Sequence, residues 1–449
     1  MAGGTFDKTV GKIRPGTYIN FESTRQDTVN AGARGTVLIP LVGTDYGPAK
    51  EFITIYSSAV DAHKAELGYS VYDNDPSGNM LLIREAFKNA STVIVYITTE
   101  GTAAATGTGG GLTGTAKYKG TRGNKLSFAV IANPVAGFDV EVYLDGARVE
   151  QFEGITAAAD LSSSAYISFT GNDTIEAVAG VNLTGGTDAE ETANGDITAF
   201  LDASEAIRWN TMAFPISTAE LQTALKAKIK YIRESIGFGV QAVAPDFSAD
   251  YEGIINLTNS YSLSTGALTT AQATAYVAGA TAGATATQSY TAVPVDGATG
   301  VVGAKTHEEA EAAIKAGEYF FSISDAGEVV TEYDINSLVS LTKGKDKTYR
   351  KNRVIRVFDT FAESLRLNFP PNKFDNSPEG WDIMEGLGKT ILKQFGPTAD
   401  GGSGAIKNID YSADFLVDRE LSTGDETFFN VGLEPTDSAE KLYFTVKTR

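Results

Sequence analysis

The chain has 449 residues, a formal net charge of −19 and no cysteine. Its length predicts several domains, and the absence of cysteine excludes disulfides, thiolate catalysis and cysteine-ligated zinc. The acidic charge argues against direct nucleic-acid binding, and no apolar run approaches the roughly 18 residues needed for stable membrane insertion. Because the first ten residues lack an apolar signal stretch, we expect synthesis in the cytoplasm.

The first predicted strand lies at residues 17–22 (TYINFE), where Thr17, Ile19 and Phe21 share one face and Tyr18 lies on the other. A polar linker follows, which offers no hairpin partner. The backbone groups of this strand must nevertheless be paired. Two partners remain open: the sheet edge of another subunit, or a strand within the same domain.

The next segments predict an α/β unit. Apolar runs at 34–42, 51–56 and 92–98 are typical of strands, while 57–67 and 79–89 have helical patterns. Strands that alternate with helices indicate a sheet covered by helices.

A change in composition follows at residue 100. Residues 100–114 are rich in Gly, Thr and Ala and predict a linker, and short alternating runs over 115–186 predict a small all-β domain. Asp145-Gly146 is a strong hairpin signal within it. Helical and strand patterns resume near residue 195, so the β domain interrupts the α/β unit.

Residues 343–369 are predicted to form a long helix whose first half carries seven basic residues and one acidic residue. Positive charge is unfavourable at a helix N-terminus, and it contrasts with the acidic chain. Two explanations remain open: an external acidic partner, or neutralisation by the chain's own carboxylates. The basic residues are Lys343, Lys345, Lys347, Arg350, Lys351, Arg353 and Arg356.

The C-terminal part predicts a helix at 377–395, strands at 411–417 and 427–433, and a final strand at 441–447. Leu442, Phe444 and Val446 share one face of that final strand. The expected fold is multidomain α+β: a mixed α/β body, a small all-β insertion, and a C-terminal α/β domain that terminal strands of neighbouring subunits complete. The predicted boundaries are an N-terminal arm and linker at 1–32, the body at 33–99 plus 190–342, the insertion at 100–189, the C-terminal domain at 343–433 and a C-terminal arm at 434–449.

Catalytic and metal-binding signals are weak. Gly388-Lys389-Thr390 lacks the earlier glycine of a phosphate-binding loop and lies in a predicted helix. The segment 73–84 starts like a calcium loop but has Arg84 at its twelfth position. Only two histidines occur, in unrelated segments. We therefore expect no catalytic site, metal or cofactor.

Four short pieces resemble the tail sheath protein of contractile phages, in its short form from Gram-positive phages and phage-tail-like bacteriocins. They are GGTF at 3–6, RPGTYINF at 14–21, RGTVLIPL at 34–41 and Tyr46-Gly47-Pro48, where the family commonly has Trp-Gly-Pro. The resemblance covers residues 1–56, resumes over about 345–449, and is weakest between about 100 and 190.

This resemblance implies a structural subunit, not an enzyme. The implied assembly is a helical stack of hexameric rings around a tail tube, which contracts to drive the tube through a cell envelope. Its implied partners are further copies of the chain, the tail tube protein, and baseplate and tail terminator proteins. In such sheaths the C-terminal domain lies against the tube, so Lys347, Arg350, Lys351 and Arg353 are the expected tube-facing group. The terminal strands would join subunits by strand addition.

The alternative hypothesis is a β-rich surface or adhesin protein that binds a ligand through residues 115–186. It would require export, for which the sequence shows no signal.

Overall fold

A computed structural model describes residues 2–4, 16–18, 34–171, 174–189 and 192–448. The first two of these ranges are described by their backbone alone.

The described ranges contain both helices and strands. The helices are α1 Lys64–Leu67, α2 Asn79–Phe87, α3 Asn194–Ala203, α4 Ala219–Tyr231, α5 Thr270–Gly283, α6 His307–Lys315, α7 Asn352–Asn368 and α8 Pro378–Phe395. The strands of the body and termini are β1 Ala2–Gly4, β2 Gly16–Tyr18, β3 Thr36–Leu41, β4 Phe52–Tyr56, β5 Thr92–Ile97, β13 Thr211–Ala213, β14 Gln241–Pro245, β15 Ile254–Leu257, β16 Ser260–Leu263, β17 Gly266–Ala267, β18 Ala298–Val302, β19 Glu318–Tyr319, β20 Phe321–Ile323, β21 Val329–Thr331, β22 Phe415–Val417 and β23 Phe429–Val431. The remaining strands are β6 Thr106–Gly109, β7 Leu112–Ala116, β8 Leu126–Ala132, β9 Phe138–Leu144, β10 Ala147–Ile155, β11 Ile167–Gly171 and β12 Val178–Asn182.

The body is built on a seven-stranded sheet in the order β19-β15-β14-β13-β3-β5-β4. All neighbours in it are parallel except β4, which runs antiparallel to β5. Its central strands are continuous apolar runs because helices cover both faces. Val37 and Ile39 face α2 and α5, whereas Leu38 lies in the core formed with α3 and α4.

Helix α5 is buried along almost its whole length. Its small residues allow close approach to α2: a Cβ atom on Gly279 would lie 2.3 Å from the backbone oxygen of Ala86. The Ala/Thr/Gly-rich composition therefore encodes close helix packing here.

The β domain inserted after β5 contains two sheets, β10-β9-β8-β12 and β11-β7-β6. The linker prediction for 100–114 is wrong, because β6 and β7 pair as a hairpin there. Gly110 and Gly111 form its turn with φ of 63° and 76°. A Cβ atom on Gly111 would lie 2.0 Å from the oxygen of Thr174, so a glycine is required.

The chain enters and leaves this β domain at adjacent points. The amide of Thr102 donates to the oxygen of Thr187 at 2.8 Å. Tyr46 of the body is buried in the core of the β domain, and Arg122 of the β domain donates to Gly68 of the body at 2.8 Å.

The C-terminal domain packs α7 and α8 against the two-stranded sheet β22-β23. Phe369, Phe415 and Phe429 form an aromatic cluster between them, with ring centroids 5.6–5.9 Å apart. The helix predicted from residue 343 starts only at Asn352. Before it, the Asp346 side chain accepts from Thr348 N and caps a short 3-10 helix, Lys347–Arg350.

Another prediction from pattern alone is wrong. The helix predicted at 57–67 is reduced to the single turn α1, with turns before it. Residues 441–447 form no strand within the single subunit and lie on its surface, so their pairing with a neighbouring subunit stays a prediction.

Candidate functional site

The C-terminal segment presents apolar side chains that the described chain does not cover. Leu442, Phe444 and Val446 are 66%, 83% and 86% exposed. Burying a side chain of this kind is worth about 1.5–3 kcal/mol. Leu442–Val446 is therefore a short alternating apolar run available for pairing with a partner.

The C-terminal domain also has an unpaired strand edge. Asp418 N donates to Phe428 O at 2.7 Å and Gly432 N to Asp414 O at 3.0 Å, which fixes the β22-β23 register. In that register the backbone N–H and C=O groups of Phe429 and Val431 point away from β22. These groups meet no strand partner within the described ranges, so β23 presents an open edge.

At the other edge of this small sheet, a side chain occupies one of the outward backbone groups of β22. The Val417 amide donates to the carboxylate of Glu385 on α8 at 3.1 Å.

At the N-terminus, β2 contains Thr17 and Tyr18 and pairs in parallel with β1. Ile19 and Phe21, predicted to belong to the same inter-subunit strand, lie outside the described residues.

The four residues predicted to face a tube do not form one surface. Lys347 is exposed, whereas Lys351 and Arg353 are buried. Arg350 is half-buried, and its Nη2 donates to the carbonyl oxygen of Ile314 at the end of α6 at 2.5 Å. Two of the four, Arg350 and Lys351, thus have acceptors within the chain.

Lys351 reaches the carboxylate of Glu440 in the C-terminal segment. Ser289 also donates to that carboxylate, at 2.8 Å, and the Tyr333 ring centroid lies 4.2 Å from Lys351 Nζ. Burial by itself would raise the pKa of Glu440, but Lys351 and Ser289 outweigh it and hold the pKa below its ordinary value.

A second charged cluster joins the body to α7. Arg233, which follows α4, binds Asp359 of α7 through two hydrogen bonds of 2.9 and 3.0 Å. The fully buried Arg356 of α7 donates to Asp334 at 2.8 Å. These bidentate and buried contacts fix the orientation of α7 on the body.

The cluster is extended by amide side chains. Asn352 Nδ2 donates to Asp334 at 2.9 Å, and Gln241 Nε2 donates to Asn352 at 3.1 Å. Burial would raise the pKa of Asp334, but Arg356 and Asn352 lower it below its ordinary value. Asp334 therefore remains an ionised partner of Arg356 at neutral pH.

Within the described ranges, no cluster of three or more His, Asp or Glu residues has metal-binding geometry. His63 pairs with Glu66 at 3.1 Å, and His307 is an exposed residue of α6. None of the described helices combines the length and apolar character that crossing a membrane requires.

The segment that resembles a calcium loop is a capping turn. The carboxylate of Asp75 accepts from the amides of Asn79 and Met80 at 2.8 and 2.9 Å, at the start of α2. Its acidic residue thus has a structural role.

An open strand edge together with an exposed apolar segment is a feature of proteins that assemble with a partner. Four family models match the chain consecutively. They are the tail sheath protein Gp18 domain III N-terminal region at 34–96, the phage tail sheath protein beta-sandwich domain at 98–188, the phage tail sheath protein central domain at 190–337 and the phage tail sheath C-terminal domain at 344–449.

Similar proteins support the same family. The phage-like element PBSX protein XkdK of Bacillus subtilis is 36% identical, with both chains fully covered. A crystal structure of a sheath tail protein from Desulfitobacterium hafniense has 34% identity and a TM-score of 0.81, covering 96% of this chain and 99% of that one. The chain belongs to the phage tail sheath protein family.

The fold extends to more distant assemblies. The helical sheath of the anti-feeding prophage in its contracted state shares 15% identity with this chain and has a TM-score of 0.56, over 98% of this chain and 100% of the other. At that identity the similarity concerns the fold alone.

Sequence reasoning missed three features of this site: the open β23 edge, the Glu440 contact and the charged cluster around Asp334. Each depends on residues far apart in the chain, such as Lys351 and Glu440. The surplus of basic residues at 343–356 was the one local signal, and neutralisation by the chain's own carboxylates was one of its two predicted explanations.

Proposed function

We propose that this chain is the sheath subunit of a contractile tail, which polymerises into stacked hexameric rings around a tail tube and contracts to drive the tube through a cell envelope. The observation that carries the proposal is the coexistence of an exposed alternating segment and an unpaired strand edge in one subunit. Leu442–Val446 supplies the first, and Phe429–Val431 supplies the second.

Strand addition joins these two features. The C-terminal segment of one copy would pair with β23 of a second copy, which would satisfy the outward backbone groups and bury Leu442, Phe444 and Val446. The N-terminal strand around Thr17, Tyr18, Ile19 and Phe21 is the second proposed arm. Such arms would keep neighbouring subunits linked while other contacts change.

The charged cluster at α7 suits a subunit that moves as one body. Arg233–Asp359 and Arg356–Asp334 tie the C-terminal domain to the body through buried, oriented contacts. Contraction would then rearrange whole subunits between two packings, with the arms as linkers. The energy would be stored in the assembled lattice, so no nucleotide is required.

For the tube contact, we propose only the basic residues that are exposed on the subunit. Lys347 and the neighbouring Lys343 are exposed, whereas Arg353 is buried and Lys351 is buried and paired with Glu440. An exposed electrostatic contact is screened and releasable, which suits a tube that must slide. Baseplate and tail terminator proteins are the further proposed partners.

Electron microscopy of the purified protein across salt and protein concentration tests the proposal. We expect hollow striated tubes with sixfold end views from the natural sequence. The double variant Leu442→Ser, Phe444→Ser should remain folded but form no tubes, because its segment loses the apolar face.

A matched control exchanges the opposite face of the same segment, with Tyr443→Ser and Thr445→Ser. This control should still assemble. Equal assembly by both double variants would contradict the role of the apolar face, and particles without sixfold symmetry would contradict the ring architecture.

A further inference from the structure

The segment before the exposed apolar run is attached to the subunit at two places on different domains. The first attachment is on the C-terminal domain. Thr436 N donates to Ala405 O at 2.8 Å, and Lys407 N donates to Glu434 O at 2.9 Å. Pro435 forms a bridge with Ile406.

The second attachment is Glu440, which lies against the body. Its carboxylate accepts from Ser289, in the loop after α5, at 2.8 Å and contacts Lys351. Lys351 itself forms a backbone bridge with Ile335 of the body. The chain therefore leaves the C-terminal domain at Thr436 and is held again on the body at Glu440.

Regular structure does not account for this second attachment. Residues 437–441 form no strand or helix, and side chains such as Ser438 and Glu440 make the hydrogen bonds of the segment. After Glu440, Lys441 Nζ still lies 5.6 Å from the centroid of the Tyr333 ring, and the exposed side chains of Leu442, Tyr443 and Phe444 follow. The Glu440 carboxylate is thus the last buried contact before the free part of the segment.

We propose that Glu440 and Lys351 form a clamp that sets the free length of the C-terminal arm. With the clamp closed, the arm starts after Glu440. With the clamp open, it starts after Thr436, four residues earlier, which extends its reach by up to about 14 Å at 3.3–3.6 Å per residue.

The surroundings of Lys351 allow the clamp to open without leaving an isolated buried charge. The Tyr333 ring centroid lies 4.2 Å from Lys351 Nζ. This ring belongs to the body and remains with the cation when the segment from Asp437 to Glu440 leaves, which reduces the cost of separating the pair. Glu440 in turn gains water as its partner.

This inference rests on the proposed function for its purpose. A linked lattice whose subunits change position needs arms of adjustable length, and a clamp at the base of the arm provides that adjustment. Lys351 and Glu440 are positioning residues in this scheme, since they act through the arm and contact no second subunit themselves.

Distance measurements between spin labels test the clamp in the full chain. The natural sequence has no cysteine, so labels at Glu308→Cys on α6 and Lys441→Cys report one distance. We expect a narrow distance distribution in the unassembled subunit. Glu440→Gln and Lys351→Met should each broaden it and shift part of the population by up to about 14 Å.

The matched control is Glu434→Gln, which removes an exposed pair with Lys407 (3.4 Å) in the same segment. This variant should keep the narrow distribution. A distribution that is broad in the natural sequence, or unchanged by both clamp variants, would overturn the proposal.

The same labels separate this inference from the proposed function. Leu442→Ser, Phe444→Ser should abolish tubes while leaving the narrow distribution intact. If that variant still assembles, strand addition by the segment fails, and the clamp is judged by its distance distribution alone.

Discussion

The charged cluster that connects α7 to the body through Arg356 and Asp334, called the joint below, differs from the C-terminal segment in where its polar and apolar groups lie. Both reverse the usual distribution of these groups. At the joint, Arg356 and Asp334 are charged and fully enclosed, whereas Phe444 in the segment is apolar and 83% exposed. Each arrangement is costly unless a partner compensates for it. At the joint the partner lies in the same chain, while the segment requires one from outside. The joint therefore contributes to the stability of the subunit, whereas we propose that the segment contributes to assembly.

Breaking the joint should give the largest effect on the isolated subunit. Arg356→Met leaves Asp334 buried without its cation and should lower the free energy of unfolding by about 3–5 kcal/mol. Denaturant unfolding followed by circular dichroism measures the loss. Arg419→Gln, which removes an exposed pair with Asp382, is the control and should cost at most about 1 kcal/mol. Equal losses would show that burial does not distinguish the two pairs.

Acid should weaken the joint in a defined direction. The pKa of Asp334 is lowered in the folded state, where Arg356 and Asn352 outweigh burial. Its contribution is therefore complete above the ordinary aspartate pKa of about 4 and is lost as the pH falls below it. Unfolding free energies measured between pH 6 and about 3 should show natural protein and Asp334→Asn converging as the pH drops. A constant gap would contradict this assignment.

The smallest effect on the subunit is expected in the segment. Phe444→Ser should change the unfolding free energy of the monomer by less than about 0.5 kcal/mol. The Phe444 side chain is 83% exposed, so its removal costs few contacts within the subunit. The same change should reduce tube formation strongly. A large loss of monomer stability would show that the segment packs on its own subunit in solution.

Much of the body could be predicted from local pattern. Strands β3 and β5 are apolar runs of strand length, and α2 lies within its predicted range. Asp145 and Gly146 adopt φ of 53° and 77°, as a two-residue hairpin turn requires. In each case the residues of the element itself are enough to predict its structure.

The failures have physical reasons as well. The glycines and threonines of 106–116 have the composition of a linker, but cross-strand pairing and the tight contact of Gly111 make them a hairpin. Helicity cannot extend back through Lys347–Arg350, because Asp346 caps a separate turn and Lys351 is extended with φ −88° and ψ 121°. The 441–447 pattern is that of a strand, and a strand forms only where its backbone finds a partner.

The crossing between the body and the β domain has a consequence for engineering. Since Thr102 and Thr187 are hydrogen-bonded neighbours at 2.8 Å, the whole loop of chain between them can in principle be exchanged for another folded module whose ends lie equally close. The exchange would expose Tyr46, which is now 4% exposed in the core of the β domain. Tyr46 should therefore be replaced by a polar residue when another module is inserted. The proposed tube would then display one chosen cargo per subunit at regular spacing.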